Sequence, residues 1–332
     1  MQQPLTVIML AGAIRRSPLR AALDEPALCL PMTSDTLLLD VWIAAIAALG
    51  PVDIRIVVND ARDATSIKRH LDRAKRRFGH EKVSIRIIEE SAAWRGTGGV
   101  VIDTAGKIEQ GQLVLVVEAG CLPPASLEGV MNSIGDECAM VVAGDESRTP
   151  AGIFVLRGVA FQFVNPVGYS DLKEQLITAL RTRHHRVGFC ELPQPVIRIR
   201  DRESYLRAVA RGAEQGADQP QDRTHRQGRV LGCSIVGSEV ECHQGAIIHE
   251  SVVLKGARIG ANALVSRSVI GRGVRVAAGA RVTETVLDHH ASARGQQGPT
   301  QHIFDEAEGN SAEQEQPQDD NTPETLRMIV PS

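Results

Sequence analysis

The sequence predicts a doubly wound α/β domain built on a mostly parallel sheet, followed by a parallel β-helix. Two observations predict it. Over the first two hundred residues, short β-branched runs alternate with segments whose apolar residues recur at helical spacing. After residue 228 the hydrophobic period changes to about six. A third stretch, residues 289–332, has almost nothing to bury.

The strand-like runs lie at residues 5–11, 52–58, 83–88, 113–117 and 140–143, and read as strands buried on both faces. Between them, residues 36–49, 63–78 and 126–134 read as helices. Residues 171–183 and 202–211 read as two more, flanking a strand pair near 186–191 and 196–199. This places an α/β domain over residues 1–211. Residues 212–228, rich in Gly, Gln and Asp, read as a linker.

The β-helix spans residues 229–288. Val236, Cys242, Ile248, Ile259, Val265, Ile270, Val276 and Val282 lead successive hexads, with small or β-branched residues at the fifth place. The register slips by one residue twice, before Ile259 and before Ile270. Each hexad would supply one short strand whose leading side chain stacks in the interior. Residues 289–332 carry eight acidic residues and two arginines, and the composition predicts disorder. That tail more than accounts for the formal charge of −3, so the body is mildly positive, without the basic stripe of a nucleic-acid binder. No apolar run approaches the roughly 20 residues that cross a bilayer. Six cysteines without a CxxC pair suit reduced thiols, and the expectation is a cytoplasmic protein with no membrane or nucleic-acid partner.

The first chemical candidate is the turn after the opening strand, Ala11-Gly12-Ala13-Ile14-Arg15-Arg16-Ser17-Pro18-Leu19. A loop leaving the carboxyl end of a parallel strand is where α/β sheets bind ligands. Glycine lets backbone amides approach phosphate, and arginine neutralises it. This loop resembles the opening loop of sugar-phosphate nucleotidyltransferases, LAGGxGTRLxPLT, a group that includes mannose-1-phosphate guanylyltransferases and glucose-1-phosphate nucleotidyltransferases. Asp24-Glu25-Pro26-Ala27-Leu28-Cys29-Leu30-Pro31 is similar to their PKPLLPV segment, and Arg95-Gly96-Thr97-Gly98-Gly99 to their base-contacting LGTGG. Ala151-Gly152-Ile153-Phe154-Val155 resembles their AGIYVF strand, and Asp171-Leu172-Lys173-Glu174-Gln175-Leu176 their DLKEQL helix. A C-terminal hexapeptide β-helix, left-handed, is common in the group.

The resemblance implies nucleotide contacts at Ala11, Gly12, Ala13, Gly96, Thr97, Gly98 and Gly99, and phosphate-handling roles for Arg15, Arg16 and Lys173. The family reaction joins an NTP and a sugar 1-phosphate into an NDP-sugar, releasing diphosphate, with Mg²⁺ as cofactor if this chain is active. Departures from the pattern fall at the chemistry. The family lysine of PKPLLPV falls at Glu25, and its two metal aspartates at Gly120 and Arg198. Glycine offers a cation no ligand and arginine repels it, so no metal-binding residue is assigned. Glu118, two residues away, is either a displaced ligand or a partly buried glutamate. Arg198 could replace part of the metal's charge. Some hexapeptide-repeat acyltransferases use a histidine between subunits as general base, but nothing beside His243 and His249 resembles the long inserted loop those enzymes carry. The pairs His184-His185 and His289-His290 lack further ligands at metal spacing. The expectation is therefore a divergent protein that binds a nucleotide or nucleotide sugar, with catalysis in question. The alternative is a non-catalytic regulator or scaffold. In either case the β-helix would assemble a homo-oligomer.

Overall fold

Seven strands form the first sheet of the computed structural model, in the order β3-β2-β1-β4-β6-β5-β7. The structure describes residues 4–11, 18–23, 25–78, 83–90, 95–215 and 223–288. The strands are β1 (Leu5–Leu10), β2 (Val52–Val58), β3 (Val83–Glu89), β4 (Leu113–Glu118), β5 (Cys138–Gly144), β6 (Pro150–Arg157) and β7 (Arg186–Glu191). All pairings are parallel except those of β6, which runs antiparallel between β4 and β5. Consequently β1, β2, β4, β5 and β7 all end at the same edge. The chain passes from β1 outward to β2 and β3, then returns to β4 on the other side of β1. That reversal leaves a crevice at the carboxyl ends of β1 and β4, where open α/β sheets take ligands.

Both faces of the sheet are covered, as the β-branched runs require. On one face Ile8, Val116 and Phe154 pack with Val101 of α4 (Gly96–Ala105) and Leu180 of a helix we name below. On the other, Val7, Met9 and Val117 pack with Leu19 of α1 (Pro18–Leu23), Trp42 of α2 (Leu38–Ala47), Ile67 of α3 (Ala61–Phe78), Val130 of α5 (Glu128–Asn132) and Tyr205 of α7 (Arg202–Gln215). The helix carrying Leu180 is α6 (Ile177–Thr182), preceded by Leu172–Leu176, where Leu176 N–H donates to Asp171 O at 3.0 Å in a π-type turn.

Two expected elements differ. Residues 196–199 form no strand; they make one bridge, Cys121 to Arg198, next to a partner segment that Pro123 and Pro124 cut short by removing its backbone donors. The expected linker is shorter, since α7 continues to Gln215 and an antiparallel hairpin, β8 (Arg223–His225) with β9 (Gly228–Leu231), leads into the coils.

The coils are stacked parallel strands in three faces. Ile235–Val236, Val252–Val253, Val269–Ile270 and Val286–Leu287 make the first. Glu241–Cys242, Arg258–Ile259 and Arg275–Val276 make the second. Ile247–His249, Leu264–Ser266 and Arg281–Thr283 extend β9 as the third. Every hexad leader is buried in one apolar column. Val253, which the hexad reading passed over, is a leader too. The five-residue step therefore recurs once per coil, from Ile248 to Val253 and from Val265 to Ile270, rather than as an irregular slip.

The short step is a corner built from serine. Ser251 N–H donates to Ser234 Oγ at 3.1 Å, Ser268 N–H to Ser251 Oγ at 3.0 Å, and Thr285 N–H to Ser268 Oγ at 3.2 Å. The residue before each rung, Glu250, Arg267 and Glu284, has positive φ, which turns the chain at the cost of strain. The other corners place Gly256 and Gly273, then Gly245, Asn262 and Gly279, in the same left-handed region, where these residue types cost least.

The first face of the coils packs on the α/β part. Ile235, Val252, Leu254 and Val269 belong to the same apolar core as Met9 and Trp42. Polar contacts seal the joint: Arg272 Nε meets Glu25 Oε1 at 3.0 Å, and Arg202 donates to Arg267 O at 2.6 Å. The 289–332 tail lies outside the described residues, and no described helix is long and apolar enough to cross a membrane.

Ser251 is fully buried, and its hydroxyl also donates to His249 O at 2.7 Å. Ser251→Ala leaves the Ser268 amide without its acceptor and should cost about 1–3 kcal/mol. Urea unfolding of both chains measures the difference.

Candidate functional site

Glu118 ends β4 opposite Leu10, so it stands in the crevice one residue short of Ala11 in register. Its carboxylate is clamped by two cations. Lys173 Nζ lies 2.6 Å from Oε1, and Arg198 Nη1 pairs with Oε2. All three side chains are partly shielded from water. Burial by itself would raise the Glu118 pKa; the hydrogen bonds and charges of Lys173 and Arg198 outweigh it and hold the carboxyl below its ordinary 4.5.

Each partner is positioned by its own segment. Lys173 follows Asp171, whose Oδ1 accepts from the Lys173 and Glu174 amides at 2.7 and 3.0 Å and caps the turn. Asp171 Oδ2 accepts from Thr97 Oγ1 at 2.8 Å, tying this turn to the start of α4. The Lys173 ammonium also lies 6.0 Å from the Phe154 ring centre. Arg198 is fixed by backbone pairing around it: Ile199 N–H to Gly120 O and Leu122 N–H to Ile197 O, both at 2.9 Å. Its second nitrogen donates to Pro150 O at 2.8 Å. Gly152 explains its glycine: φ is +78°, and an added Cβ would lie 2.6 Å from Glu118 Oε2.

Of the sequence-predicted residues, the structure brings Gly96, Thr97, Gly98, Gly99 and Lys173 together through residues 168–173. Ala11 closes β1, donating to Val57 O at 2.9 Å. Gly12, Ala13, Arg15 and Arg16 lie outside the described residues. The Gly96–Gly99 run, read as a loop, is the first turn of α4, and its amides are engaged: Gly98 and Gly99 donate to Ser170 O at 2.8 and 3.2 Å. A Cβ at Gly96 would lie 2.6 Å from that oxygen, so these glycines serve the close approach of the 168–171 segment. Arg95 fastens the same segment, donating to Gly168 O at 2.6 Å while pairing with Asp103 at 2.8 Å.

The described residues around Glu118 do not fit a divalent cation. Among the described residues no three His, Cys, Asp or Glu side chains gather as a metal site, and both Glu118 oxygens face protein cations. Gly120 contributes only backbone pairing, and Glu25 anchors Arg272. Cys121, fully buried, donates to Glu118 O at 3.0 Å; burial pushes its thiol up to about 12, which makes it inert. His249 Nδ1 lies 3.4 Å from Ser266 Oγ on the third face, and His185 stacks against Phe163 at 4.8 Å. What the sequence left open was the partnership of Glu118 with Lys173 and Arg198, whose positions are 55 and 80 residues away and follow no spacing rule.

Because the folded pKa of Glu118 is depressed, its stabilising effect is complete above its ordinary 4.5 and is lost as pH falls through the lower folded value. Glu118→Gln should remove that component of the acid dependence and cost about 1–3 kcal/mol near neutrality, because two partly shielded cations lose the negative charge and one of the two acceptor oxygens between them. Thermal unfolding of both chains between acid and neutral pH checks the sign.

Curated proteins give no match to the chain. A family model described as "GlmU-like, C-terminal hexapeptide" matches residues 209–298, covering the coils. The C-terminal part of this chain is thus similar to a hexapeptide-repeat domain of that type.

Proposed function

We propose that this chain is a divergent, sugar-phosphate nucleotidyltransferase-like protein that binds a nucleotide or nucleotide sugar in the crevice at the ends of β1 and β4, with transfer weak or lost. The observation that carries the proposal is the Glu118–Lys173–Arg198 clamp at the topological switch point. Two cations share one carboxylate, leaving an excess positive charge where phosphate would lie.

The chemistry follows from charge. Nucleotidyl transfer asks a protein to position two anions and neutralise the charge that develops between them. Here Lys173 and Arg198 can exchange Glu118 for phosphate oxygens, since guanidinium and ammonium bind either anion. Glu118 would then act as a competing internal anion that holds the cations in place between ligands. Binding of this kind requires no divalent ion. Fixed cations also stabilise a ground-state phosphate as well as a transition state, which binds ligand without accelerating its reaction. The left hand of the coils, cytoplasmic residence, and Arg15 and Arg16 as phosphate ligands belong to the same proposal.

A second reading, a regulator or scaffold, is favoured by the coils themselves. Their first face is docked on the α/β part, while among the described residues the other two lie outside that core and the second carries the ion pair Glu241–Arg258 at 3.1 Å. Assembly of copies through these faces is compatible with ligand binding at the crevice. Light scattering of the full-length chain should give an oligomer; a monomer removes the scaffold.

Thermal-shift titration with NTPs and nucleotide sugars should show stabilisation that is the same with Mg²⁺ and with EDTA. A ligand at 100 times its Kd adds roughly 2.7 kcal/mol. Glu118→Gln should tighten binding by removing the competing carboxylate, and Lys173→Ala should weaken it. Diphosphate release with hexose 1-phosphates should be silent; turnover near one per second, the low end of ordinary enzymes at roughly 1 s⁻¹, or strictly Mg²⁺-dependent binding would overturn the proposal.

A further inference from the structure

Next to the clamp, on the same edge of the sheet, a groove of about 390 Å³ opens between the segment after β4 and the segment after β7. Its volume is within the range of small-molecule sites. Pro123 and Pro124 stand on one wall, Pro193 and Pro195 on the other. Proline has no backbone N–H, so these walls are poor in donors and only partly replace the water lost by a ligand's hydroxyls. A sugar is therefore a poor occupant and an apolar body a good one. Apart from Ser126, Glu191, Gln194 and Arg211, the lining side chains are apolar or absent.

The polar members set the ligand's charge. Arg211, on α7, donates to Gln194 Oε1 at 2.5 Å, a contact that holds the guanidinium against the wall. It makes no ion pair with a carboxylate among the described residues. A guanidinium has five donors in a planar fork that matches a carboxylate, and one bond to a neutral amide leaves most of them for a ligand. Glu191 is exposed at the end of β7 and opposes an anion only weakly across solvent. We infer that this groove binds an amphipathic monocarboxylate, with its aliphatic or aromatic body between the proline walls and its carboxylate on Arg211. The site is independent of the crevice ligand, although its walls continue into the clamp: Leu122 and Ile197, both lining residues, are joined by the backbone bond beside Arg198.

The experiment is a fluorescence titration of the full-length chain with anilinonaphthalene sulfonate, followed by displacement with octanoate and with octanol. One saturable site is expected, with octanoate displacing the dye about tenfold better than octanol, the factor that one charge-assisted contact of about 1.4 kcal/mol supplies. Arg211→Gln should weaken octanoate about tenfold and leave octanol unchanged. Ala125→Trp, at an exposed position in the groove, should abolish both. Absence of saturable dye binding, equal displacement by the two competitors, or parent-like titration of both variants would overturn the inference.

Discussion

Lys173 and Arg198 reach the end of β4 from two different segments, and Glu118 holds both there. Three pieces of the carboxyl edge meet at that pairing. The Asp171 turn is brought in with Lys173, the chain after β7 is brought in with Arg198, and β6 must present Gly152 because no larger residue clears the carboxylate. Breaking a shielded pair on one side leaves the remaining charge exposed to an unfavourable medium. The clamp is therefore a structural tie, and under the proposed function it is also what would draw an anion to the crevice. Those two roles would conflict, because a carboxylate that organises the cations would also compete with a ligand for them.

The coils solve a different problem, that of turning a chain three times per repeat without leaving polar groups unpaired. Each corner places one residue in the left-handed region. Where that residue is Gly or Asn the strain is small, and at the short corner a buried hydroxyl satisfies the next coil's amide. The coil thus repeats every 17 residues over its paired strands, as Ile235, Val252, Val269 and Val286 show. Burying the first face in the core of the α/β part joins the two regions through apolar packing, and the Arg272–Glu25 pair sits at the rim of that joint, with Glu25 shielded and Arg272 exposed.

Burial also sorts the carboxyl edge into chemically distinct neighbours. Around Glu118 the groups are charged and linked by hydrogen bonds, whereas the walls formed by residues 122–124 and 193–197 are apolar and poor in donors. The backbone bond from Leu122 to Ile197 joins the two walls beside Arg198. Two neighbouring surfaces of opposite character on one sheet edge are a natural outcome of loops supplied by different strands.

The sequence by itself determined the elements whose cause is local. The alternation of β-branched and helical runs announced a two-sided sheet, and the spacing of Val236, Cys242 and Ile248 announced the coils, because both are written in periods of burial along the chain. Local signals failed where distant atoms decide. The Gly96–Gly99 run reads as a loop, yet Ser170 O supplies acceptors that let it start a helix; residues 196–199 read as a strand, yet find a partner only at Cys121. The antiparallel direction of β6 and the membership of Val253 in the column likewise have no local mark. Glu118, Lys173 and Arg198 were each visible as residues of chemical interest, and their union was not. A charge pair is specified by proximity in three dimensions, and only the folding of β4, the Asp171 turn and the chain after β7 onto one edge brings these three charges within contact.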